Sequence, residues 1–368
     1  MNPDMKLLAI LVHRGLVPAE LAREAMLSGA AGSFLVKRGH CTAQQWEQWS
    51  RNEGGTRPVL SRYEVGELLG EGGVGRVFAA KDRAKDAPNT PIALKVLRPE
   101  LAKDPAQAER FVKEARLLMD LAHPHLVKGL RVAKEGETIF FAMEQVPGRC
   151  LQDVLAEEGR LDEETALEIT VEVASALDVM HERGLVHRDV KPGNILWSEE
   201  RGAVLIDLGF AMAQNDQGTG ETTAGTVHYI APEQARGSHQ LDVRADIYAL
   251  GATLYHLTTG SLPFEGKTSE EVLAKQVLES LSGERIRALH LSPQLHYFLE
   301  KMMAKDPEMR FQDPKQLQRE VEAFLQQVRH QRELEEQQQR DKPKLGGARS
   351  PLGRSGGMFD RRSRRRRR

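Results

Sequence analysis

The chain has 368 residues, 40% hydrophobic and 29% charged, a composition that excludes a fibrous or largely disordered protein. Its formal net charge of −1 conceals a basic end, because residues 361–368 (RRSRRRRR) contain seven arginines. Two cysteines, Cys41 and Cys150, exclude a disulfide framework, and with no apolar run long enough to span a bilayer they predict a soluble cytoplasmic protein.

Residues 1–50 predict a helical N-terminal extension built from two copies of a repeat. The run LVHRG recurs 24 residues later as LVKRG. In each copy we expect a helix to end at the glycine, Gly15 or Gly39, and the next helix to open at Pro18 or Thr42. The segment holds no cluster of catalytic residue types, so we expect a packing or docking role rather than chemistry.

A linker is expected over residues 51–62, and from residue 63 short strands come first and helices follow. Strands are expected at 63–69, 76–82, 92–97, 127–134, 138–145 and 203–206. One amphipathic helix is expected to begin at Asp104, between the third and fourth strands. Further helices are expected at 151–157, 162–183, 244–259, 269–281, 294–304 and 314–329. This order predicts an α+β protein with a small, mainly β lobe and a larger, mainly α lobe. Residues 326–368 are expected to be a fraying helix and a disordered tail.

The first predicted hairpin is rich in glycine, with LGEGGVGRV at residues 69–77. The pattern G-x-G-x-x-G also opens dinucleotide-binding folds, but there it leads from a strand into a helix. Here the glycines lie between two strands, where a backbone without Cβ atoms can cover the phosphates of ATP. For this piece alone, an ordinary glycine hairpin remains the alternative.

A lysine lies on the third predicted strand, where its charge needs a partner. The run Ile92-Ala93-Leu94-Lys95 is apolar up to Lys95, and a buried, unpaired ammonium is costly. The helix that begins at Asp104 carries Glu114 on its apolar side. We therefore predict an ion pair between Lys95 and Glu114 that holds the lysine against the α- and β-phosphates. Two solvated surface charges are the alternative.

The strongest chemical signal is VHRDVKPGNIL at residues 186–196. It places Asp189 and Asn194 five residues apart with cations between them. Phosphoryl transfer needs a carboxylate that accepts the substrate hydroxyl proton, oxygen ligands for magnesium, and positive charge near the transferred phosphate. Asp207, in the run Asp-Leu-Gly, follows a β-like run and supplies a second carboxylate.

With these motifs, residues 63–325 resemble the Hanks-type (eukaryotic-like) serine/threonine protein kinases, and bacterial members in particular. The resemblance implies the two-lobed kinase fold, ATP as phosphoryl donor, and Mg²⁺ or Mn²⁺ as metal. It assigns Asp189 as the catalytic base, Lys191 as the cation at the γ-phosphate, and Asn194 and Asp207 as metal ligands. It also assigns Lys95 and Glu114 as the phosphate-anchoring pair.

The resemblance extends to the nucleotide pocket and to residues that brace the fold. The nucleotide-binding positions would be Leu69, Gly70, Glu71, Gly72, Gly73, Val74, Gly75, Val77, Ala93, Lys95, Met143, Glu144, Val146 and Leu196. Met143 matches the gatekeeper, and 144–146 the hinge that hydrogen-bonds adenine. Asp246 would brace the catalytic loop, and Glu233 of Ala231-Pro232-Glu233 would pair with Arg310.

Two residues are typical of serine/threonine rather than tyrosine specificity. Lys191 stands two positions after Asp189, and Thr226 matches the threonine that contacts this aspartate. One residue departs from the family pattern: Leu208 replaces the usual phenylalanine after Asp207, but it keeps an apolar side chain there. Lys95, Asp189 and Asp207 are all present, so an inactive relative is not expected.

Regulation and partners follow from the resemblance and from charge. The activation loop offers Thr219, Thr222 and Thr223 as sites of autophosphorylation, which implies self-association for reaction in trans. A loop whose threonines only add solubility is the alternative. The Arg-rich tail favours acidic protein, nucleic acid or an anionic membrane surface by counterion release, with a solubilising tail as the alternative.

Two other functions remain to be weighed against a protein kinase that acts on protein substrates. A kinase-like enzyme for small molecules is disfavoured by the complete activation segment up to Glu233, whose Thr226 region suits a peptide. A nucleotide-binding scaffold without catalysis is disfavoured by the intact Asp189, Asn194 and Asp207.

Overall fold

A computed structural model describes the fold of the chain. The described residues are 3–13, 16–43, 45–46, 57–58, 60–84, 91–207, 212–213, 226–238, 241–281 and 291–341. The chain divides into two units, Met1–Leu325 and Gln326–Arg368. Among the described residues, no helix combines the length and apolar character needed to cross a membrane.

The described residues of the N-terminal extension include three complete helices, and its sequence repeat is also a structural repeat. The helices are α1 (Pro3–His13), α2 (Ala19–Leu27) and α3 (Ala31–Lys37). Leu11 and Leu35 occupy equivalent positions and are both fully buried. The N–H of Leu16 donates to Leu11 O at 2.9 Å, and the N–H of His40 donates to Leu35 O at 3.1 Å. Both copies therefore end their first helix with the same backbone hydrogen bond, spanning five residues.

Three of the four helix ends expected around the repeat, at Gly39, Pro18 and Thr42, lie among the described residues. Gly39 has φ +73°, the left-handed conformation of a helix stop. Pro18 is the N-cap residue of α2. The N–H of Thr42 donates to Gln45 Oε1 at 2.8 Å, and the N–H of Gln45 donates to Thr42 Oγ1 at 3.1 Å, which is a reciprocal helix cap. Gly15 lies outside the described residues.

The next region is a five-stranded antiparallel sheet with one long helix. The strands are β1 (Tyr63–Glu71), β2 (Gly75–Asp82), β3 (Pro91–Leu97), β4 (Gly129–Glu135) and β5 (Thr138–Glu144), in the order β1-β2-β3-β5-β4. A short helix α4 (Pro99–Ala102) precedes the long helix α5 (Pro105–Met119). Asp104 caps α5 by accepting the N–H of Ala106 at 2.9 Å. Phe111, Ala115 and Leu118 form the buried face of α5.

Residues 60–62, at the C-terminal end of the expected linker, contact the sheet. Leu60 is buried in one cluster with Tyr63 and Phe140, and the N–H of Ser61 donates to Glu135 Oε1 at 2.7 Å. Residues 60–62 therefore belong to the sheet region, because an apolar side chain anchors them there. Most of the remaining linker, including residues 51–56, lies outside the described residues.

The larger region is mainly helical. Its helices are α6 (Leu151–Glu158), α7 (Glu163–His181), α8 (Pro232–Ala235), α9 (Val243–Thr259), α10 (Ser269–Leu278), α11 (Pro293–Met302) and α12 (Pro314–Asp341). Short strands β6 (Arg149–Cys150), β7 (Leu185–Val186), β8 (Ile195–Ser198), β9 (Gly202–Leu205) and β10 (Met212–Ala213) form two small sheets, β6-β8-β9 and β7-β10. The α+β class with two lobes is confirmed.

One apolar core runs through both lobes, and backbone hydrogen bonds also join them. The N–H of Val127 donates to Leu205 O at 2.9 Å, and the N–H of Leu205 donates to His125 O at 3.0 Å. This contact joins the approach to β4 with β9, the strand that leads directly to Asp207. The fold therefore brings the end of β9 against the sheet lobe.

The last helix continues past residue 329, where it was expected to fray, and α12 reaches Asp341. Residues 331–340 consist only of Glu, Gln, Arg and Leu, and the first proline beyond them is Pro343. Polar residues of these types are strong helix formers, so exposure alone does not end the helix. The tail from 342 to 368 lies outside the described residues.

Candidate active site

Three side chains of the loop between β7 and β8 meet at one carboxylate oxygen. Asp189 Oδ2 accepts a hydrogen bond from Lys191 Nζ at 2.8 Å and another from Asn194 Nδ2 at 2.8 Å. Asn194 Nδ2 also donates to the backbone oxygen of Asp189 at 2.8 Å. Because the amide nitrogen makes both bonds, Asn194 Oδ1 is the atom of this side chain suited to bind a cation.

The second oxygen of the same carboxylate has a different environment. Asp189 Oδ1 is buried and has no hydrogen-bond partner among the described residues. Burial raises the pKa of Asp189, while Lys191 and Asn194 oppose the rise. A buried acceptor left without a donor is costly, so Oδ1 is a strong candidate to receive a hydroxyl group from a substrate.

A buried aspartate on α9 holds this loop in a strained conformation. Arg188 has φ +68°, which is uncommon for a residue other than glycine. Asp246 is fully buried and accepts the N–H groups of His187 and Arg188, each at 2.7 Å. Burial raises the pKa of Asp246 to about 7, and the two hydrogen bonds oppose that rise. The brace expected from Asp246 is therefore present, and it acts on the backbone.

His187 also supports the loop, as a neutral side chain. It is fully buried, and burial lowers its pKa to about 4. Its Nδ1 accepts the N–H of Asp189 at 3.2 Å, so the ring proton lies on Nε2. This bond adds a direct link between the histidine and the backbone of Asp189.

Asp207 follows β9 and faces the sheet lobe. The N–H of Ile206 donates to Asn194 O at 3.0 Å, which places the β9 end beside the catalytic loop. Lys95 Nζ lies 2.6 Å from Asp207 Oδ1, so the lysine of β3 reaches across to this carboxylate. Lys95 stands opposite Val77 on β2 and Phe141 on β5, in the middle of the sheet.

The ion pair predicted between Lys95 and Glu114 is not formed. Lys95 pairs with Asp207, and Glu114 instead accepts a hydrogen bond from Arg110 Nε at 3.1 Å, one turn earlier on α5. Burial raises the pKa of Glu114 to about 7, although Arg110 and Lys95 oppose the rise. Lys95 thus contacts the more exposed of the two carboxylates, whereas burial disfavours the charged form of Glu114.

Lys95, Glu114 and Asp207 nevertheless border one cavity of about 20 Å³. Its remaining lining is apolar and consists of Phe111, Ala115, Leu118, Phe141, Met143 and Ile206. The gatekeeper position, Met143, therefore lies at the same cavity as the three charged groups.

The glycines of the first hairpin divide into two kinds. A Cβ on Gly75 would collide with the carbonyl oxygen of Val96 on β3, so packing within the sheet requires this glycine. A Cβ on Gly70 or Gly72 would meet no described atom within 4 Å. Contacts with the described atoms therefore do not require glycine at these two positions, where the sequence predicts close approach by the phosphates of ATP.

Sequence reasoning missed the arginine that holds this hairpin. Arg98 Nε donates to Gly72 O at 3.0 Å, and Arg98 Nη2 lies 2.9 Å from Glu71 Oε1. The backbone N–H of Arg98 also donates to Val74 O at 3.1 Å. Arg98 thus binds three residues of the glycine-rich turn. No local pattern marks this residue, because it and the turn are 26 positions apart and meet only when β3 pairs with β2.

At the expected hinge, the side chain of Glu144 is occupied by protein groups. Arg201 donates to both carboxylate oxygens, at 2.8 and 3.1 Å, and the N–H of Lys128 donates to Oε1 at 2.9 Å. Burial alone would raise the pKa of Glu144, but these donors bring it below its usual range. The N–H groups of Glu144 and Gln145 donate to Lys128 O at 3.0 Å and to Pro91 O at 3.2 Å, so the other backbone groups of 144–146 are the expected contacts for adenine. Ala93 stands opposite Met143 across β3 and β5, and Val74, Val77 and Leu196 pack against the core.

The pair expected between Glu233 and Arg310 is present, and the side chain of Arg310 is fully buried. Arg310 binds both oxygens of Glu233, at 2.7 and 2.8 Å, and Arg310 also donates to three backbone carbonyls. The side chain of Thr226, as well as Leu208, Thr219, Thr222 and Thr223, lies outside the described part of the chain.

Comparison with known proteins gives a family match that covers most of the chain. Residues 63–321 match the protein kinase domain. The probable serine/threonine-protein kinase CPE1738 of Clostridium perfringens is 35% identical over 259 residues, which cover 70% of this chain and 37% of that protein. The serine/threonine-protein kinase PknB of Mycobacterium tuberculosis is 37% identical over 262 residues, covering 69% of this chain and 41% of PknB. The matched region thus spans about two fifths of the length of these relatives.

Proposed function

The chain belongs to the protein kinase family, and we propose that it transfers the γ-phosphoryl group of ATP to serine or threonine hydroxyls of proteins. The observation that carries the proposal is the carboxylate of Asp189. Its Oδ2 is held by Lys191 and Asn194, and its buried Oδ1 lacks a donor among the described residues. A substrate hydroxyl supplies the missing donor and passes its proton to this oxygen.

The donor set suits ATP with Mg²⁺ or Mn²⁺. Asn194 offers an amide oxygen and Asp207 a carboxylate, and hard divalent cations prefer such oxygen ligands. Bound magnesium neutralises charge on the phosphates and orients them. Gly70 and Gly72 leave the hairpin backbone open to those phosphates, and Arg98 holds the hairpin in place.

The other residues take roles in binding and positioning. Lys191 lies beside the catalytic carboxylate, where its ammonium offsets negative charge on the transferred group. Lys95 anchors the α- and β-phosphates once it leaves Asp207 for Glu114, which frees the Asp207 carboxylate for the metal. This exchange of partners would couple nucleotide binding to a movement of α5.

We propose that autophosphorylation of the activation loop regulates the enzyme. Thr219, Thr222 and Thr223 are the acceptors, and the reaction in trans requires transient self-association. Support comes from their position in the sequence between Asp207 and Ala231-Pro232-Glu233, and from Arg188 beside the catalytic aspartate. Mass spectrometry of fully active protein tests this: unmodified threonines in all active molecules would reject the regulatory role.

The terminal segments serve accessory roles in this proposal. The seven arginines of 361–368 attract an acidic protein, nucleic acid or an anionic membrane surface, and the helical repeat of residues 1–50 docks a partner. Deletion of 342–368 should leave phosphorylation of a short peptide unchanged. A large loss of peptide activity in the truncated protein would contradict this role.

The test of the main proposal is transfer of label from γ-³²P-ATP, with Mg²⁺ or Mn²⁺, to the protein itself and to a generic basic protein. Asp207→Asn is the control. Label that disappears in the control supports the proposal, and analysis of labelled residues separates serine and threonine from tyrosine. Absence of label with either metal, while ATP still binds, contradicts it.

A further inference from the structure

Two lysines near the end of α11 are alike in their immediate surroundings. Lys305 Nζ donates to Tyr248 OH at 2.9 Å and lies 4.2 Å from the centre of the Phe264 ring. Lys301 Nζ donates to Tyr297 OH at 3.0 Å, and it also lies over an aromatic ring. Each lysine therefore begins a chain of hydrogen bonds through a tyrosine hydroxyl.

The chain from Lys301 ends at the protein surface. Tyr297 OH donates to Glu320 Oε2 at 2.9 Å, and Lys301 Nζ lies 3.1 Å from Glu320 Oε1. Tyr297 is exposed, so water competes for these groups. This chain links α11 to α12 and does not lead to the activation segment.

The chain from Lys305 runs through the interior to the activation segment. Tyr248 OH donates to Gln276 Oε1 at 2.6 Å, and Gln276 Nε2 donates to His228 O at 2.8 Å and Val227 O at 3.4 Å. Lys305 Nζ also donates to the backbone oxygen of Gln276 at 2.8 Å. Tyr248 and Gln276 are fully buried.

The chemistry of the two ends gives this chain one direction. An ammonium group only donates hydrogen bonds, and backbone carbonyls only accept them. The hydroxyl of Tyr248 must therefore donate onward to Gln276 Oε1, which turns the amide nitrogen of Gln276 toward Val227 and His228. Removing the hydroxyl leaves a buried amide oxygen without its donor and no longer fixes the orientation of the amide.

A second route reaches the same segment from the other side. The carbonyl oxygen of Phe264 accepts a hydrogen bond from His228 Nδ1 at 3.1 Å, and the ring of Phe264 lies under Lys305. Because a carbonyl only accepts, His228 carries its proton on Nδ1. Both the backbone and the ring of His228 are thus held by groups that contact Lys305.

The setting of Lys305 is costly for a cation. Burial is the main cause that lowers the pKa of Lys305 to about 7. The positive charges of Arg310 and Arg236 also lower this pKa, and the carboxylates of Glu279 and Glu233 raise it. The hydrogen bonds and the aromatic ring are what compensate the ammonium for lost water.

We propose that Lys305, Tyr248 and Gln276 are positioning residues for the backbone of Val227 and His228. They hold this backbone in the conformation that binds the protein substrate beside the serine or threonine to be phosphorylated. This inference rests on the proposed kinase function, which makes the segment before Ala231-Pro232-Glu233 the platform for the substrate chain. The polar chain acts on substrate binding and leaves the nucleotide site unchanged.

The test compares Tyr248→Phe with the matched variant Tyr297→Phe, since each removes one hydroxyl from a lysine–tyrosine chain. Tyr248→Phe should raise KM for the protein substrate about tenfold, with KM for ATP within about twofold of wild type. Hydrogen–deuterium exchange of the 227–230 amides should become faster. Tyr297→Phe should change neither quantity. Lys305→Met should behave like Tyr248→Phe, and Lys305→Arg, which keeps a donor, should recover most of the affinity.

Wild-type KM and wild-type exchange in both Tyr248→Phe and Lys305→Met would overturn the proposal. An equal loss of affinity for ATP and protein substrate, with a lower Tm, would also overturn it, since that result indicates a general loss of packing. If the wild-type protein transfers no phosphate, the proposed function fails. Exchange of the 227–230 amides in the two tyrosine variants then decides whether the chain holds the segment.

Discussion

The catalytic loop and the nucleotide-anchoring cluster each combine charged side chains of the expected types, yet only one of them has the expected contacts. Asp189, Lys191 and Asn194 already converge, with hydrogen bonds of 2.8 Å. Lys95 is instead bound to Asp207, 112 residues further along the chain, and Glu114 to Arg110. One cluster has the contacts that the proposed chemistry needs, and in our proposal the other exchanges partners when the nucleotide binds.

The difference follows from what holds each cluster. The catalytic loop is short, and Asp246 and His187 bind its backbone from inside the core. The anchoring cluster depends on the position of α5 relative to the sheet, and each charged group has a second partner nearby. Short-range, buried hydrogen bonds therefore define one arrangement, whereas ion pairs between separate elements allow two.

The largest expected effect comes from replacing the carboxylate of Asp189 in the catalytic loop with an amide of the same shape. Asp189→Asn should lower kcat about 1,000-fold, because the amide cannot accept the hydroxyl proton. KM for ATP should change little. Steady-state kinetics checks this, with Asp178→Asn on α7 as a control aspartate outside the site. Retained activity in Asp189→Asn would remove the basis for the comparison.

Removing the carboxylate of Asp246 should let the catalytic loop adopt more than one arrangement, as we propose for the anchoring cluster. Asp246→Ala leaves the buried N–H groups of His187 and Arg188 without their acceptor, and it should lower the free energy of unfolding by about 3 kcal/mol. Asp246→Asn keeps one acceptor oxygen and should lose less. Urea denaturation measures both variants, and equal stability of Asp246→Ala and wild type would show that the loop holds itself.

Glu114 of the anchoring cluster should make the stability of the protein depend on pH. Burial raises the pKa of Glu114 from 4.5 to about 7, so the folded protein binds this proton more tightly than the unfolded chain does. The resulting stability is fully present below pH 4.5 and is lost as pH rises through about 7. Glu114→Gln removes this dependence and should be more stable than wild type at pH 8 by about 2 kcal/mol. Urea unfolding at pH 5 and pH 8 checks it. A difference between the two proteins that does not vary with pH would refute the assignment.

The smallest expected effect sharpens the idea of competing partners. Arg110→Met releases Glu114 from its contact within α5 and leaves it available to Lys95. KM for ATP should fall about threefold, the size expected for one partly exposed ion pair. Arg116→Met, at an exposed position of the same helix, is the control. A higher KM in Arg110→Met would mean that the arginine supports nucleotide binding instead of opposing it.

Much of the site could be predicted from the sequence because its chemistry is local. Asp189, Lys191 and Asn194 lie within six positions, and their loop geometry leaves few ways to arrange them. Asp207, Asp246 and the Glu233–Arg310 pair were also identifiable, because the resemblance to protein kinases assigns a role to the short motif around each residue. Arg98 and the Lys305–Tyr248–Gln276 chain carried no such motif, because their partners are far apart along the chain.

By itself the sequence determined the order of strands and helices, the repeat at the N-terminus and the residue types at the catalytic loop, since these depend on periodicity, turn residues and short spacing. The tertiary structure alone decided which carboxylate binds Lys95, which arginine holds the glycine-rich turn and which lysine supports the activation segment. Those outcomes depend on burial and on distances between separate elements. A charged side chain can reach several partners, and only packing determines which of them it meets.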